Sequence, residues 1–307
     1  IIVGRKGSVG EVAFCSSAFW PIDTTYYVEN PNGHNWPFLY YLLSSLGLGA
    51  LNSHSAVPGL KRESVYSIEC NIPEKREQEK IAAVLRKVQR VIEIEEKLVA
   101  TTRELKQSAM QQVFACGVRN EPQIETELGP LPESWSVRPF EELRKFLQYG
   151  TSAKCDYHGK GNPVIRIPNV VDGRVSARDL KWCELQAKAV ESILLEKGDV
   201  LFIRTNAVRE RVGKTAVYQG DPAYALFASY LIRARLKKDQ LEPDFLQYLT
   251  MAATGASQLS GRASPAADGK FNINMKTIDS VLIPLPSIHE QQEIVTLLKG
   301  IDRKIDF

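Results

Sequence analysis

IPEKREQEKIAAVLRKVQRVIEI (Ile72–Ile94) and LPSIHEQQEIVTLLKGIDRKIDF (Leu285–Phe307) align without a gap at a constant offset of 213 residues. Pro73 answers Pro286, Glu77-Gln78 answers Glu290-Gln291, and Ile81 answers Ile294. Leu85, Arg90 and Ile92 answer Leu298, Arg303 and Ile305. Self-similarity of this kind marks one structural unit used twice. The likeness continues upstream with small changes of offset. Phe38-Leu39 and Tyr41-Leu42 answer Phe245-Leu246 and Tyr248-Leu249, and VGEVAF (Val9–Phe14) answers VGKTAV (Val212–Val217). Residues 1–116 therefore read as the later part of one unit and residues 130–307 as the first part of the next. Each unit is a β-rich block feeding a long helix.

The first copy of the segment opens a run from Pro73 to about Ala115 that holds no glycine and no further proline. Pro73 suits a helix start, Glu74 and Glu77 suit the positive end of the helix dipole, and Gly117 suits a stop. About 42 residues at about 1.5 Å each give a helix of about 60 Å, longer than a small domain is wide. Ile81, Val88, Glu95, Thr102 and Ala109 recur every seven residues, and Leu85, Ile92, Leu98, Leu105 and Gln112 run roughly alongside. Seven-residue spacing marks a coiled-coil seam. A second long helix is expected to pair with it antiparallel, with Ile81, Leu85, Val88, Ile92, Leu98 and Leu105 as the packing residues.

Around this helix the sequence alternates strand and turn signals. Strands are expected at Ile1–Val3, Val9–Phe14 and Thr24–Val28, then at Pro163–Ile167, Val200–Ile203, Lys214–Tyr218 and Tyr230–Arg235. Short helices are expected at Trp36–Ser45 and near Asp244–Ala252, and another helix from about Ser287. Residues 117–133 read as a polar, proline-containing connector. No apolar run reaches the roughly 18 residues of a membrane span, and the N-terminal apolar run is too short for a signal peptide. Lacking an initiator methionine, the chain is expected to begin inside a larger protein. Five scattered cysteines without a CxxC pair read as reduced, cytoplasmic thiols.

The net charge of +3 is too small to argue for nucleic acid by itself. Its distribution says more. Residues 130–284 carry 22 Lys and Arg against 17 Asp and Glu, whereas residues 1–73 carry 4 against 5. The excess in one block could meet phosphates, and a solvated surface explains it equally well.

With these residues on the page, the chain resembles the specificity subunits of type I restriction-modification enzymes. IPLPSIHEQQEIVTLLKGID (Ile283–Asp302) resembles the proximal end of their conserved-region helix. GPLPESWSVRPFEEL (Gly129–Leu143) and YGTSAKCDYHGKGNPVIRIPNVVDGRV (Tyr149–Val175) resemble the start of a second target-recognition domain. IIVGRKGSVGEVAFCSSAFWPIDTTYYV (Ile1–Val28) resembles the later half of a first. The sequence departs from the family pattern in lacking the opening half of that first domain and in a second helix that stops after about 20 residues.

The resemblance implies an α+β fold with two mixed α/β target-recognition domains separated by long antiparallel coiled-coil helices. The expected divisions are 1–72 (part of the first recognition domain), 73–116 (long helix), 117–133 (linker), 134–284 (second recognition domain) and 285–307 (start of the second helix). It further implies that each recognition domain reads one half of a split sequence in double-stranded DNA and that the helices set the unread gap. The helices would also dock methyltransferase subunits and, through the complex, restriction subunits, with no membrane partner. S-adenosylmethionine would be bound by the methyltransferase subunit and no cofactor by this chain.

The residues themselves argue against catalysis here. No Pro-Pro dipeptide offers the Asn/Asp-Pro-Pro-aromatic loop of an adenine methyltransferase, so base flipping and methyl transfer fall to another chain. GRKGSVG (Gly4–Gly10) has neither the P-loop ending nor the dinucleotide spacing and reads as a turn. Asp179, Glu184 and Lys188 do not match a metal-nuclease spacing. His34, His54, His158 and His289 have no zinc-ligand spacing.

DNA contact is the better use of the polar loops, since phosphates take Lys and Arg while base edges take Arg, Asn and Gln. Three loops concentrate such residues: Thr151, Ser152, Lys154 and Lys160; then Arg204, Asn206, Arg209, Arg211 and Lys214; then Arg262, Lys270, Asn272 and Asn274. In the first unit the equivalents are Arg5, Lys6, Lys61 and Arg62. Taken singly, each could equally be a solvated loop charge. A helical scaffold binding protein rather than DNA is the rival reading.

Overall fold

The glycine-free run folds as one helix, Lys75–Cys116, of 42 residues. It ends at Gly117, whose φ of 66° lies in the left-handed region, with the Gly117 N–H closing back on the Val113 carbonyl at 3.0 Å. The computed structural model describes residues 1–51 and 59–305. His54, Asp306 and Phe307 lie outside the described residues. The chain divides into two compact units, Ile1–Leu98 and Val99–Phe307, and the long helix contributes residues to both.

In the first unit, Ile2–Gly4 is the middle strand of a three-stranded antiparallel sheet between Val12–Ala13 and Thr25–Tyr27. Val3, Leu48 and Leu60 form its small core. The helix Trp36–Ser45 has the predicted bounds and is capped by the Asn35 side chain, which accepts from the Phe38 N–H. A short helix at Arg62–Tyr66 carries too few apolar positions to have been visible as a periodic pattern.

The second unit is larger. A six-stranded sheet runs in the order Arg144–Tyr149, Leu231–Leu236, Val200–Ile203, Thr215–Val217, Arg174–Val175, Val170–Val171. Val200–Ile203 is buried along its whole length, as a central strand covered on both faces must be. Lys181–Cys183, Asn162–Ile165 and Leu226–Phe227 form a second sheet. The polar connector contains a hairpin, Gln123–Thr126 with Gly129–Pro132, which anchors Leu131 in the core. No helix among the described residues is long and apolar enough to cross a membrane.

Within the second unit the end of the long helix pairs with the helix Ile288–Ile305. Lys106 bonds Asp302 at 2.5 Å, while Glu290 accepts from the Val118 N–H at 3.3 Å. The early residue of one helix thus meets the late end of the other, and the pair is antiparallel. Met110, Val113 and Phe114 share a core with Ile294, Val295 and Leu298. The seam is therefore Thr102, Lys106, Ala109, Met110, Val113 and Phe114. This corrects the expectation that Leu105 lies on it, because Leu105 is 57% exposed. Leu85, Val88, Ile92 and Leu98 are also exposed, and Ile81 is only partly covered. Thr102 and Ala109, counted by sevens from Ile81, do lie on the seam, whereas Leu105 belongs to the neighbouring column and falls on the exposed side.

The repeated Gln explains why the segment is written twice. The Gln78 Oε1 accepts from the Asn35 N–H at 2.9 Å, and its Nε2 donates to the Pro73 carbonyl at 2.9 Å. The Gln291 Oε1 accepts from the Glu242 N–H at 2.9 Å, and its Nε2 donates to the Pro286 carbonyl at 3.0 Å. Asn35 and Glu242 are the N-caps of the preceding helices. Each buried amide therefore joins a helix cap to the proline that leads into the next helix. Gln78→Leu removes the partner of the Asn35 N–H and the Pro73 carbonyl and the contact to His34 Nδ1, and Gln291→Leu removes the partner of the Glu242 N–H and of the Pro286 and Gln240 carbonyls, at about 1–3 kcal/mol for each group left unpaired. We expect denaturant unfolding followed by hydrogen exchange to show Gln78→Leu loosening the first unit and Gln291→Leu the second. Unchanged exchange in both would refute the assignment.

Candidate nucleic-acid interface

The three polar loops of the second unit, far apart in sequence, are tied together by hydrogen bonds. Strand Val200–Ile203 delivers Arg204. The Arg204 N–H donates to the Tyr230 carbonyl at 3.0 Å, and its Nη1 donates to the Ser229 carbonyl at 3.3 Å. The Ser229 N–H donates to the Thr151 carbonyl at 2.8 Å, and the Arg204 guanidinium lies 4.8 Å from the Tyr149 ring centroid. The Arg204 carbonyl accepts from the Ile273 N–H at 3.0 Å. Downstream, Thr205–Asn206 pairs with Phe271–Asn272, which pairs with Ser264–Pro265. Thr151, Arg204 and Asn272, one residue from each predicted group, are therefore joined through a short chain of backbone bonds.

Their side chains divide by what they already touch. The Asn206 side chain accepts from the Val208 N–H at 2.9 Å and shapes its own turn. Arg209 donates from Nε to the Ser260 carbonyl at 3.0 Å and from Nη2 to the Gly261 carbonyl at 2.7 Å, and it lies over the Phe271 ring. Arg209 is thus committed to linking two loops, which is not the disposition expected of a base reader. Arg262 donates to the Ser280 carbonyl and hydroxyl. Lys270 pairs with Asp268 at 2.7 Å, and that carboxylate raises the Lys270 pKa. Asn272 sits in the small sheet, and the Asn274 side chain accepts from the Thr277 N–H at 2.9 Å as a helix cap. Arg211 and Lys214 are exposed.

In the first loop the Thr151 hydroxyl accepts from the Ala153 N–H, and Ser152, Lys154 and Lys160 are exposed. Lys154 and Lys160 line a cleft of about 320 Å³ with Asp156, His158, Trp182 and Glu184. Sequence reasoning missed the aromatics of this face. Tyr230 is 57% exposed and within electrostatic reach of Lys270. Tyr157, also exposed, lies 4.8 Å from the Lys181 ammonium and 5.9 Å from the Arg166 guanidinium. Aromatics interleaved with cations were the available signal.

In the first unit Arg5 lies 5.7 Å and Arg62 5.1 Å from the Tyr26 ring centroid. Lys6 pairs with Asp23 at 3.6 Å. Lys61 is exposed at the N-cap of the short helix. Among the described residues no group of three or more His, Cys, Asp or Glu side chains is placed to hold a metal ion. Asp179 instead pairs with Arg166.

A family model described as "Type I restriction modification DNA specificity domain" matches residues 1–101 and 132–307. A putative type I restriction enzyme MjaX specificity subunit from Methanocaldococcus jannaschii is 30% identical over 181 residues, 59% of this chain and 42% of that protein. The type I restriction enzyme EcoKI specificity subunit of Escherichia coli is 32% identical over 157 residues, 51% of this chain and 33% of that protein. The chain thus spans less than half the length of these relatives. Among solved structures, the type I restriction-modification S subunit from M. genitalium superposes with a TM-score of 0.64 at 18% identity, covering 99% of this chain and 76% of that one. A chain from a structure of type I restriction-modification complex assembly superposes with a TM-score of 0.57 at 22% identity, covering 90% and 66%. At these identities the structural matches bear on the fold alone.

Proposed function

The chain belongs to the type I restriction modification DNA specificity domain family, and on that premise we propose that each of its two units reads one half of a split sequence in double-stranded DNA. The observation that carries this reading is the convergence of loops 151–160, 204–214 and 261–274 through the Arg204 hydrogen bonds. These loops carry the exposed cations Lys154, Lys160, Arg211 and Lys214, with exposed Tyr230 beside Arg204, and phosphates take such charges while base edges take bidentate side chains. The long helix sets the distance between the two half-sites and docks methyltransferase subunits, through which restriction subunits join. Methyl transfer belongs to those partners, which would hold S-adenosylmethionine.

Within this reading the exposed pair Arg211 and Lys214 separates base readout from charge. Arg211→Ala is expected to cost about 1–3 kcal/mol and relax preference at one position in one half-site. Lys214→Ala is expected to weaken target and random DNA alike and to reduce the salt slope by about one. Affinities of the full chain for a panel of single-base duplex variants at several salt concentrations test both. If both variants bind every duplex as the parent does, the loop is a solvated turn and the reading fails for this face.

A further inference from the structure

Arg5 and Arg204 make one and the same set of hydrogen bonds in the two units. The Arg5 N–H donates to the Thr24 carbonyl at 2.9 Å, its Nη1 donates to the Asp23 carbonyl at 3.1 Å, and its carbonyl accepts from the Leu60 N–H at 2.9 Å. These bonds match those of Arg204 with Tyr230, Ser229 and Ile273 one for one. The surrounding backbone repeats as well. Gly4 N–H to Glu11 and Gly10 N–H to Gly4 answer Ile203 N–H to Lys214 and Gly213 N–H to Ile203, all at 2.8 Å. Gly10 and Gly213 have φ of 78° and 82°, and a Cβ would meet Gly49 backbone at 2.2 Å in one and the Leu259 side chain at 2.4 Å in the other. The next helices, Arg62–Tyr66 and Met275–Asp279, begin two residues after Leu60 and Ile273. The offset between the two arginines is 199, against 213 at the long helices. Gap-free comparison therefore cannot find the match.

We infer that Arg5 and Arg204 are matched positioning residues, each fixing the root of its unit's DNA-facing loops rather than reading a base. The inference rests on the DNA-reading function proposed above. At each position the backbone joins the end of the central strand to the neighbouring strand and to the amide ahead of the short helix, and the arginine side chain adds a second bond to the turn before the neighbouring strand. One guanidinium donor is spent on a carbonyl, and the guanidinium carbon lies 5.7 Å from the Tyr26 ring centroid in Arg5 and 4.8 Å from the Tyr149 ring centroid in Arg204, which limits where the fork can go. A base-reading side chain must be placed to within about 0.5 Å, which a loop achieves only if its support is locked. A donor-to-carbonyl bond from a charged group is well suited to that support.

The test uses the full chain with Arg5→Ala and Arg204→Ala. Hydrogen exchange is expected to quicken at residues 149–151 and 229–231 in Arg204→Ala, and at 23–26 in Arg5→Ala. Selection from a randomised duplex DNA pool is expected to give two enriched blocks with the parent. Arg204→Ala should lower base discrimination in one block by on the order of 10-fold and Arg5→Ala in the other, with the salt slope unchanged. Unchanged exchange overturns the inference. So does a salt slope reduced by about one with both blocks intact, which is the mark of a phosphate contact. A parent that enriches no sequence overturns the DNA-reading function and the positioning role with it. A parent that enriches a sequence which both variants also enrich overturns the positioning role alone.

Discussion

Asp199→Ala is expected to destabilise the second unit by about 3–5 kcal/mol, the cost of stranding a buried charge. Asp199 is 2% exposed and faces Arg233, itself 3% exposed, at 3.6 Å. Its two oxygens also accept a fork from Arg235, both bonds at 2.9 Å, and one accepts from the Glu196 N–H. Burial lowers the Arg233 pKa, whereas the Asp199 bond raises that of Arg235. Removing the carboxylate leaves two guanidinium groups side by side, one of them out of water. The cluster sits at the start of strand Val200–Ile203, and Arg204 follows its end, so the loss is expected to reach the loop face. Thermal and denaturant unfolding of Asp199→Ala check the magnitude. Asp199→Asn keeps the volume and isolates the charge. A cost below about 1 kcal/mol, the range of exposed ion pairs, would contradict the argument.

Much of the fold was legible because its signals are local. A run of 42 residues without glycine or proline can hardly be other than one helix, and Trp36–Ser45 and Val200–Ile203 fall where their patterns put them. The repeated Pro…Glu-Gln segment was legible as a repeat, although its reason was not. Gln78 bonds a residue 43 positions away and Gln291 one 49 positions away, and no window sees that far. The candidate face was legible only as composition. Its loops were named singly, but the two-residue strands Thr205–Asn206 and Phe271–Asn272 are too short to leave a period. Arg209 looked like a base reader because its partners lie 51 and 52 residues downstream. The arginine content was visible, and which arginines were already occupied was not.

The exposed stripe of the long helix carries the second large effect. Val84, Leu85, Val88, Val91, Ile92 and Leu98 are between 37% and 60% exposed, an unusual amount of apolar side chain for one helix face in water. The repeat shows what such a face is suited to. Leu298, which answers Leu85, is fully buried in the core that Met110, Val113 and Phe114 also form. If methyltransferase subunits cover the stripe, each leucine buried there contributes about 1.5–3 kcal/mol, and an aspartate in its place must be desolvated without a partner. The double variant Leu85→Asp/Leu98→Asp is therefore expected to lose co-purification with the methyltransferase subunit. Both leucines are exposed in the chain itself, so its own stability should change by no more than about 0.5 kcal/mol per site. Unfolding midpoints measured alongside separate lost docking from lost folding. Undiminished co-purification of a normally folded double variant would place the docking surface elsewhere on the chain.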